Sequence, residues 1–398
     1  MKQGKISYWF PFAVVLLEIA TYLANDMYLP GLPLLMEEFQ ISQSVAQDTL
    51  LYWFLGSASL QLLMGPLSDR FGRKVVLILG VLMFSASSFA CAYTSNIHVF
   101  LIARFIQGCV VCAVVVAGYA AIHESYDTFV AIKIISLMGA IVILAPAFGP
   151  ILGALVIEFT DWRAIFYILT GWGLLSLLML SLATPSRQKE KIPLQLKNIF
   201  KDYWQIITRK AFLIFTLPFC FMFLSLICWV VQCPFILMES YHQSPIQYGL
   251  IQLYVFGGFI VGAQITTLLI HRVNPISLIK WGVSIGLLGA LSFVITSFML
   301  LPLYAMVISM IFVALGAAMT FGPLSRFAIE VCEEPMGRRM AIFSSYMNFF
   351  GVFSTLLVTL INVNTMKDLA AIVLGGMITS CLIFALGQST ITNIQPGL

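Results

Sequence analysis

Two carboxylates lie on one face of the first apolar segment of the chain, where charged side chains are costly. Glu18, Tyr22, Asn25 and Asp26 follow one another at intervals that place them on the same side of a helix. By the rise of an α-helix, Glu18 falls near the middle of a bilayer and Asp26 lies about 12 Å further along. Carboxylates inside a membrane span usually serve a proton or a substrate. We therefore predict that Glu18 and Asp26 carry protons or bind cations.

An arginine is also predicted inside a span. Arg104 lies in an apolar stretch, three residues before Gln107. Because an arginine at the centre of a span costs roughly 2.5–3.5 kcal/mol on insertion scales, its side chain needs partners. Three roles stay open: Arg104 makes structural hydrogen bonds, or pairs with one of the two carboxylates, or tunes a carboxylate and shapes the cavity. We expect the last, and group Arg104 with Glu18 and Asp26 as the proton-coupling set.

A short motif with fixed spacing follows the second apolar segment: Gly65, Asp69, Arg70, Gly72 and Arg73. Its glycines allow a tight turn between antiparallel helices. Asp69 suits the positive end of a nearby helix, and Arg73 can pair with a carboxylate through two hydrogen bonds. We predict that Arg73 pairs with Glu124 and that the pair latches an outward-facing state.

The fifth apolar segment is punctuated by prolines and glycines: Pro146, Gly149, Pro150 and Gly153. Prolines permit a kink and small residues permit close packing between helices. The segment therefore favours a close contact with a neighbouring helix, and ordinary packing of membrane helices is the alternative reading.

Composition indicates the elements that must position these residues. Of 398 residues, 60% are hydrophobic and 10% are charged, whereas soluble domains carry roughly 25% charged residues. Such a chain needs lipid as its solvent, and a span takes about 20 apolar residues. We predict an all-α membrane protein with twelve transmembrane helices at residues 9–28, 49–64, 75–93, 99–122, 134–159, 164–183, 212–233, 248–270, 276–299, 303–321, 340–360 and 369–387.

Charge supports this count and marks a boundary. With both termini in the cytoplasm, nearly all lysines and arginines outside the spans fall on the inner side, and only Arg163 and Lys367 fall outside. A basic linker, 185–210, separates an N-terminal six-helix half, 1–184, from a C-terminal six-helix half, 211–398. Within it, residues 194–207 form either an amphipathic helix on the anionic inner leaflet or a flexible tether.

The motif from Gly65 to Lys74 resembles the GxxxDRxGRR signature of the major facilitator superfamily. Residues 149–154 resemble its antiporter-associated GPxxGG motif, with Ala154 in place of the second glycine. Residues 18–31, 104–108, 118–125 and 229–234 are similar to the MdfA-like multidrug/proton antiporters of that superfamily. The resemblance is dense over the first 160 residues or so and thinner beyond them.

The resemblance implies a major facilitator fold of 6+6 helices with Glu18 and Asp26 as the proton and cation carboxylates. It places the following residues in the wall of the substrate pocket: Tyr22, Asn25, Gln107, Leu226 and Val230. His123 replaces a glutamine of those relatives, so their substrate range need not transfer. Arg326 matches a basic residue of the same branch, with no role assigned.

We predict a proton-coupled secondary transporter of the inner membrane that exports drug-like or lipophilic small molecules from the cytoplasm in exchange for protons. A dedicated exporter of one metabolite, such as a siderophore or sugar, is the alternative. A membrane sensor or enzyme on the same fold is more remote, because no nucleophile–base set is present.

Other partners are not expected. The sequence contains no GxxxxGK[ST] loop for nucleotides, and its four histidines are scattered without metal-ligand spacing. Cys109 and Cys112 form a CxxC, but their neighbours in the predicted helix are apolar, so we expect them to be small core residues rather than metal ligands or a redox pair. We attribute the net charge of +4 to basic loops on the inner side of the membrane and not to a nucleic-acid-binding surface. We expect a monomer that needs no cofactor, since the proton gradient drives it.

Overall fold

Helices form all the regular structure in the part of the chain that the structure describes. The computed structural model describes residues 9–126, 128–182, 196–270 and 272–394. Contacts between residues divide the chain into two units, with the boundary between Gln195 and Leu196. That boundary lies inside the predicted linker.

Among the described residues, the first unit contains five helical segments that are long and apolar enough to cross a membrane, together with the long helix Thr128–Phe159. Its helices are α1 (Trp9–Asp26), α2 (Leu32–Phe39), α3 (Gln43–Phe71), α4 (Arg73–Tyr93), α5 (Ile97–Cys112), α6 (Tyr119–Ser125), α7 (Thr128–Phe159) and α8 (Trp162–Leu182). A 3₁₀ turn joins α1 to α2, and a π-helical segment, Ala113–Gly118, joins α5 to α6. Helix α1 packs against α5, α7 and α8, so the predicted carboxylates lie on a central helix of this unit.

The second unit also contains six spanning segments. Its helices are α9 (Leu196–Thr208), α10 (Lys210–Phe235), α11 (Pro245–Leu269), α12 (Pro275–Phe298), α13 (Leu303–Glu330), α14 (Met336–Ile361) and α15 (Met366–Ile394). A second π-helical segment, Ile236–Ser240, continues α10. Helix α13 packs on α11 and α12, and α10 packs on α13, α14 and α15.

The number of spans agrees with the sequence. Among the described residues, 11 helical segments are long and apolar enough to cross a membrane. Helix α7 has 32 residues and contributes a further apolar stretch, Leu144–Phe159. At 1.5 Å per residue α7 is about 48 Å long, more than the hydrocarbon core requires. The prediction of an all-α membrane protein with twelve spans is confirmed.

Local sequence explains where several helices begin. The Asn96 side chain accepts a hydrogen bond from the His98 amide and caps α5. Ser244 and Gln247 form a reciprocal capping box at the start of α11, where Pro245 takes the first helical position. These side chains satisfy amide groups that have no partner within the helix.

The motif at 65–74 is more helical than predicted. We expected a loop after residue 64, but α3 continues to Phe71 and α4 begins at Arg73. Gly72 alone separates the two helices, with a φ of 95° that favours glycine. The prediction was wrong because the apolar pattern ends at Met64, whereas the helix continues through polar residues.

One π-helical segment, Ala113–Gly118, interrupts the span predicted as a regular helix at residues 99–122, and the other, Ile236–Ser240, extends α10 beyond its predicted end at residue 233. Each extra residue in a helical turn rotates everything after it by about 100° relative to an α-helix. The first segment, AVVVAG, is uniformly apolar or small, so its sequence gives no sign of the change. The direction of the side chains in α6 therefore could not be predicted from spacing.

Part of the predicted linker forms a helix. Residues 183–195 lie outside the described residues, and α9 follows them. Tyr203 and Ile206 are buried, whereas Phe200 and Trp204 are mostly exposed on another face. Asp202 forms a salt bridge with Arg338 of α14, which ties α9 to the second unit. The helical alternative for this stretch is confirmed, and its contact with a lipid surface stays a prediction.

Candidate functional site

The polar face of α1 is buried in the first unit. Glu18, Asn25 and Asp26 are all buried, with exposures of 0%, 7% and 5%. Tyr22, one turn from Glu18, is partly buried. Burying an ionised carboxylate costs free energy unless the carboxylate is paired or hydrogen-bonded. The contacts of each carboxylate therefore indicate its function.

Glu18 has only one of its two oxygens engaged. The Tyr119 hydroxyl, from α6, donates a hydrogen bond of 3.0 Å to Glu18 Oε1. Glu18 Oε2 is fully buried and has no hydrogen-bond partner among the described residues. An unsatisfied buried oxygen is unusual in native proteins and calls for an explanation. A proton or a bound cation at Oε2 would satisfy it.

Arg104 is completely buried and binds mainly to uncharged groups. One guanidinium nitrogen, Nη1, donates to the carbonyl of Ala24 at 2.8 Å and to Gln107 Oε1 at 2.8 Å. Its Nε donates to the carbonyl of Thr49 at 3.3 Å. The guanidinium also lies 4.3 Å from the centroid of the Tyr28 ring. Arg104 thus ties α5 to α1 and α3.

Among the described residues, hydrogen bonds link Arg104 to Asp26 through Asn25. Its Nη2 donates to Asn25 Oδ1 at 3.3 Å, and Asn25 Nδ2 donates to Asp26 Oδ1 at 3.1 Å. Within the described residues, no salt bridge joins Arg104 to Asp26 or Glu18. The alternative that one carboxylate simply pairs with Arg104 is therefore not what the structure shows. The Asn25 amide lies between the two side chains, so Asp26 is near the positive charge of Arg104 but forms no direct ion pair with it.

The predicted pocket residues differ in their surroundings. Gln107 is buried, and its Nε2 donates to Ser88 Oγ at 2.9 Å, so both ends of its amide are engaged inside the unit. Leu226 and Val230 lie on α10 in the second unit, where both are buried. Their contact with substrate, like that of Tyr22 and Asn25, stays a prediction.

The glycines of α7 contact α1 beside Asp26. A Cβ added to Gly149 would lie 2.6 Å from Asp26 Cβ, and one added to Gly153 would lie 1.6 Å from the Met27 carbonyl oxygen. Pro146 and Pro150 lie within the same helix. The sequence predicted a close helix contact, and the structure identifies α1 at the carboxylate as the partner. The antiporter-like motif and the predicted coupling site therefore meet in one place.

The motif between α3 and α4 forms an ionic cluster. Arg73 pairs with Asp69 and donates to Ser68, and its Nη2 lies 3.3 Å from Glu124 Oε1 on α6. The predicted contact between Arg73 and Glu124 is present, and its role as a latch stays a prediction. Arg70 instead lies 5.6 Å from the centroid of the Phe71 ring. Gly65 lies within α3 and only Gly72 provides the turn.

Replacing Arg73 with alanine should slow transport more than it weakens substrate binding. Hydrogen bonds to charged groups contribute about 1.5–3 kcal/mol, so the transport rate should fall about tenfold. Binding should change less, because the cluster joins helix ends and none of its hydrogen bonds or salt bridges among the described residues involves Glu18 or Asp26. Initial rates and equilibrium binding of one radiolabelled substrate would measure both quantities.

Arg272→Ala is the matched control, because Arg272 is exposed in the turn between α11 and α12. The charge-swapped variant Arg73→Glu/Glu124→Arg should recover part of the lost rate. A normal transport rate in Arg73→Ala would remove the latch hypothesis.

One contact of the site was missed from the sequence. Tyr119 lies in residues 118–125, which are similar to the antiporters, but the sequence assigns it no role; in the structure it is the hydrogen-bond donor to Glu18. The one available signal was a tyrosine in the span that carries Arg104. The orientation of Tyr119 depends on the π-helical segment before it, and that segment could not be predicted from the sequence.

Comparison with known proteins places these features in a family. The family model described as Major Facilitator Superfamily matches residues 14–356. The chloramphenicol resistance protein CraA of Acinetobacter baumannii is 34% identical over 348 residues, which cover 86% of this chain and 84% of that protein. The multidrug transporter MdfA of Escherichia coli O157:H7 is 35% identical over 295 residues, which cover 73% and 72%.

Solved structures agree on the fold. A D-xylose-proton symporter matches with a TM-score of 0.74 at 16% identity, covering 95% of this chain and 97% of that one. A bacterial homolog of the human lysosomal transporter Spinster matches with a TM-score of 0.71 at 14% identity, covering 97% and 96%. At these identities the likeness extends to the fold alone.

Proposed function

The chain belongs to the Major Facilitator Superfamily, and on that premise we propose that it exports drug-like or lipophilic small molecules from the cytoplasm in exchange for protons. The family is one of transporters, and two relatives similar over most of this chain are named for chloramphenicol resistance and for multidrug transport. The observation that carries the proposal is the pair of buried carboxylates on α1, one of which leaves an oxygen without a partner.

The proposed mechanism is competition between protons and substrate for the site on α1. The proton affinity of a carboxyl group depends on burial, nearby charge and hydrogen bonding. All three can change when the protein exposes the site to the other side of the membrane. Each pKa unit of difference between the two states is worth about 1.36 kcal/mol of coupling. Proton loading from outside and release inside would then drive export without ATP or a cofactor.

The structural setting of the proposal follows from the charge distribution. We place the protein in the inner membrane with both termini in the cytoplasm, because the basic loops of the predicted topology then lie on the inner side. The Arg73 cluster would lie at the cytoplasmic end of the first unit. We propose that a single chain is sufficient, since the predicted coupling residues all belong to one unit.

A resistance panel in an efflux-deficient bacterial host tests the proposal. Expression should raise the inhibitory concentrations of chloramphenicol and of a lipophilic cation such as tetraphenylphosphonium, and an uncoupler should abolish the accompanying efflux. The double variant Glu18→Gln/Asp26→Asn is the control for expression without coupling. Protection against a single compound would favour a dedicated exporter, and protection that persists with the uncoupler would contradict proton coupling.

A further inference from the structure

The hydrogen bond between Tyr119 and Glu18 joins two helices at the predicted coupling site. Glu18 is completely buried, and the Tyr119 hydroxyl is the one donor within reach of its carboxyl group among the described residues. Because that hydroxyl engages Oε1, Oε2 is left as the free atom of the carboxyl group. The contact thus makes the two oxygens different: Oε1 accepts a hydrogen bond from Tyr119, and Oε2 can accept one from another group.

The backbone of the helices on both sides brings Tyr119 and Glu18 into contact. The π-helical segment Ala113–Gly118 ends immediately before Tyr119. Because an inserted residue rotates the following helix by about 100°, this segment determines which face of α6 meets α1. A Cβ on Gly118 would lie 2.8 Å from Val14 Cγ1, one turn before Glu18. The missing side chain lets α6 begin close enough to α1 for the phenol to reach the carboxyl group.

We propose that Tyr119 is a positioning residue that fixes Glu18 Oε1 so that Oε2 faces the proton or the cationic group of a substrate. The inference rests on the proposed export function and deepens it, since it assigns the recognition of cationic substrates to one oxygen atom. An ionised carboxylate in an apolar bundle needs donors, and Tyr119 supplies the one that the structure shows. Uncharged substrates do not need Glu18 to be ionised, so they should depend less on Tyr119.

Tyr119→Phe removes the hydroxyl and keeps the ring. The KM for tetraphenylphosphonium should rise about tenfold, the effect of losing one hydrogen bond to a charged group, while the KM for chloramphenicol should stay within about twofold. Tyr167→Phe is the matched control, because Tyr167 of α8 is 47% exposed and packs against Phe89. Equal losses for the two substrates would mean that Tyr119 is merely structural, and no loss for either would contradict the proposal.

A double-variant cycle separates positioning from general packing. In a Glu18→Gln background, Tyr119→Phe should not change the ratio of cation to chloramphenicol transport any further, because the two residues act through one contact. An additional change of the same size in that background would show that Tyr119 acts independently of Glu18 and would overturn the proposal.

Infrared difference spectroscopy of the purified protein tests the contact without transport. The carboxyl band that disappears in Glu18→Gln should shift in Tyr119→Phe and remain in place in Tyr167→Phe. An unshifted band would overturn the proposal even in a chain that exports drugs. Conversely, a chain that transports neither substrate would contradict the export function, while a shifted band would still support the assignment of Tyr119.

Discussion

Replacing Asp26 with asparagine should abolish the release of protons that accompanies substrate binding. The side chain keeps its size but can no longer bind or release a proton. Asp26 is buried at the end of α1, linked to Arg104 through Asn25 and packed against Gly149 of α7. A pH-indicator dye in weakly buffered detergent solution would record the protons released when substrate is added, and we expect the signal to fall to that of the substrate-free sample.

Asp161→Asn is the matched control, because Asp161 is an exposed aspartate just before α8. It should release protons as the unmodified chain does. Glu18→Gln should weaken the export of cations more than that of uncharged compounds, with less effect on proton release than Asp26→Asn. Normal proton release in the double variant Glu18→Gln/Asp26→Asn would show that both carboxylates are structural.

Adding a single methyl group at Gly153 should have the second-largest effect. Its Cβ would lie 1.6 Å from the Met27 carbonyl oxygen, a backbone atom that no rotation of a side chain can move away. Helices α1 and α7 would have to separate next to Asp26. Overpacking of this kind costs about 1–3 kcal/mol, so Gly153→Ala should lower the thermal stability of the purified protein and reduce the transport rate by about tenfold or more.

Gly171→Ala of α8 provides the comparison, because nothing lies within 4 Å of the added Cβ. Alanine is favoured over glycine within a helix by roughly 0.5–1 kcal/mol, so this variant should be as stable as the unmodified chain or slightly more so. A Gly153→Ala protein with unchanged melting temperature and transport would mean that α1 and α7 do not approach as closely as the structure shows.

The main elements of the fold and several site residues could be predicted because their signals are local. Twelve apolar stretches indicate the spans. Ionisable side chains within a span indicate the functional helix, because such side chains are unfavourable in lipid and usually serve transport of a proton or a substrate. The contact between Arg73 and Glu124 was also predictable, because a motif with fixed spacing and one carboxylate in the neighbouring span offered few alternatives.

The remaining contacts depend on tertiary structure. The sequence could not show that Gly149 and Gly153 touch α1, or that Asn25 stands between Arg104 and Asp26, because both depend on how helices distant in sequence cross. Glu334 stands beside Glu333 in a polar stretch typical of a solvated loop, yet its side chain is 8% exposed and pairs with Arg209 at 3.0 Å. The sequence could not show this pair, because Arg209 lies just before another helix, far away in sequence.

The direction of coupled movement is the most direct test of the central claim that protons drive export. The purified protein would be reconstituted into sealed liposomes with a pH-sensitive dye inside and a radiolabelled cationic substrate on one side. An imposed pH gradient should drive substrate up its concentration gradient and opposite to the protons, and Glu18→Gln/Asp26→Asn should show no such accumulation. Substrate that moves in the same direction as protons, or that accumulates equally well after the gradient has been collapsed, would contradict the account.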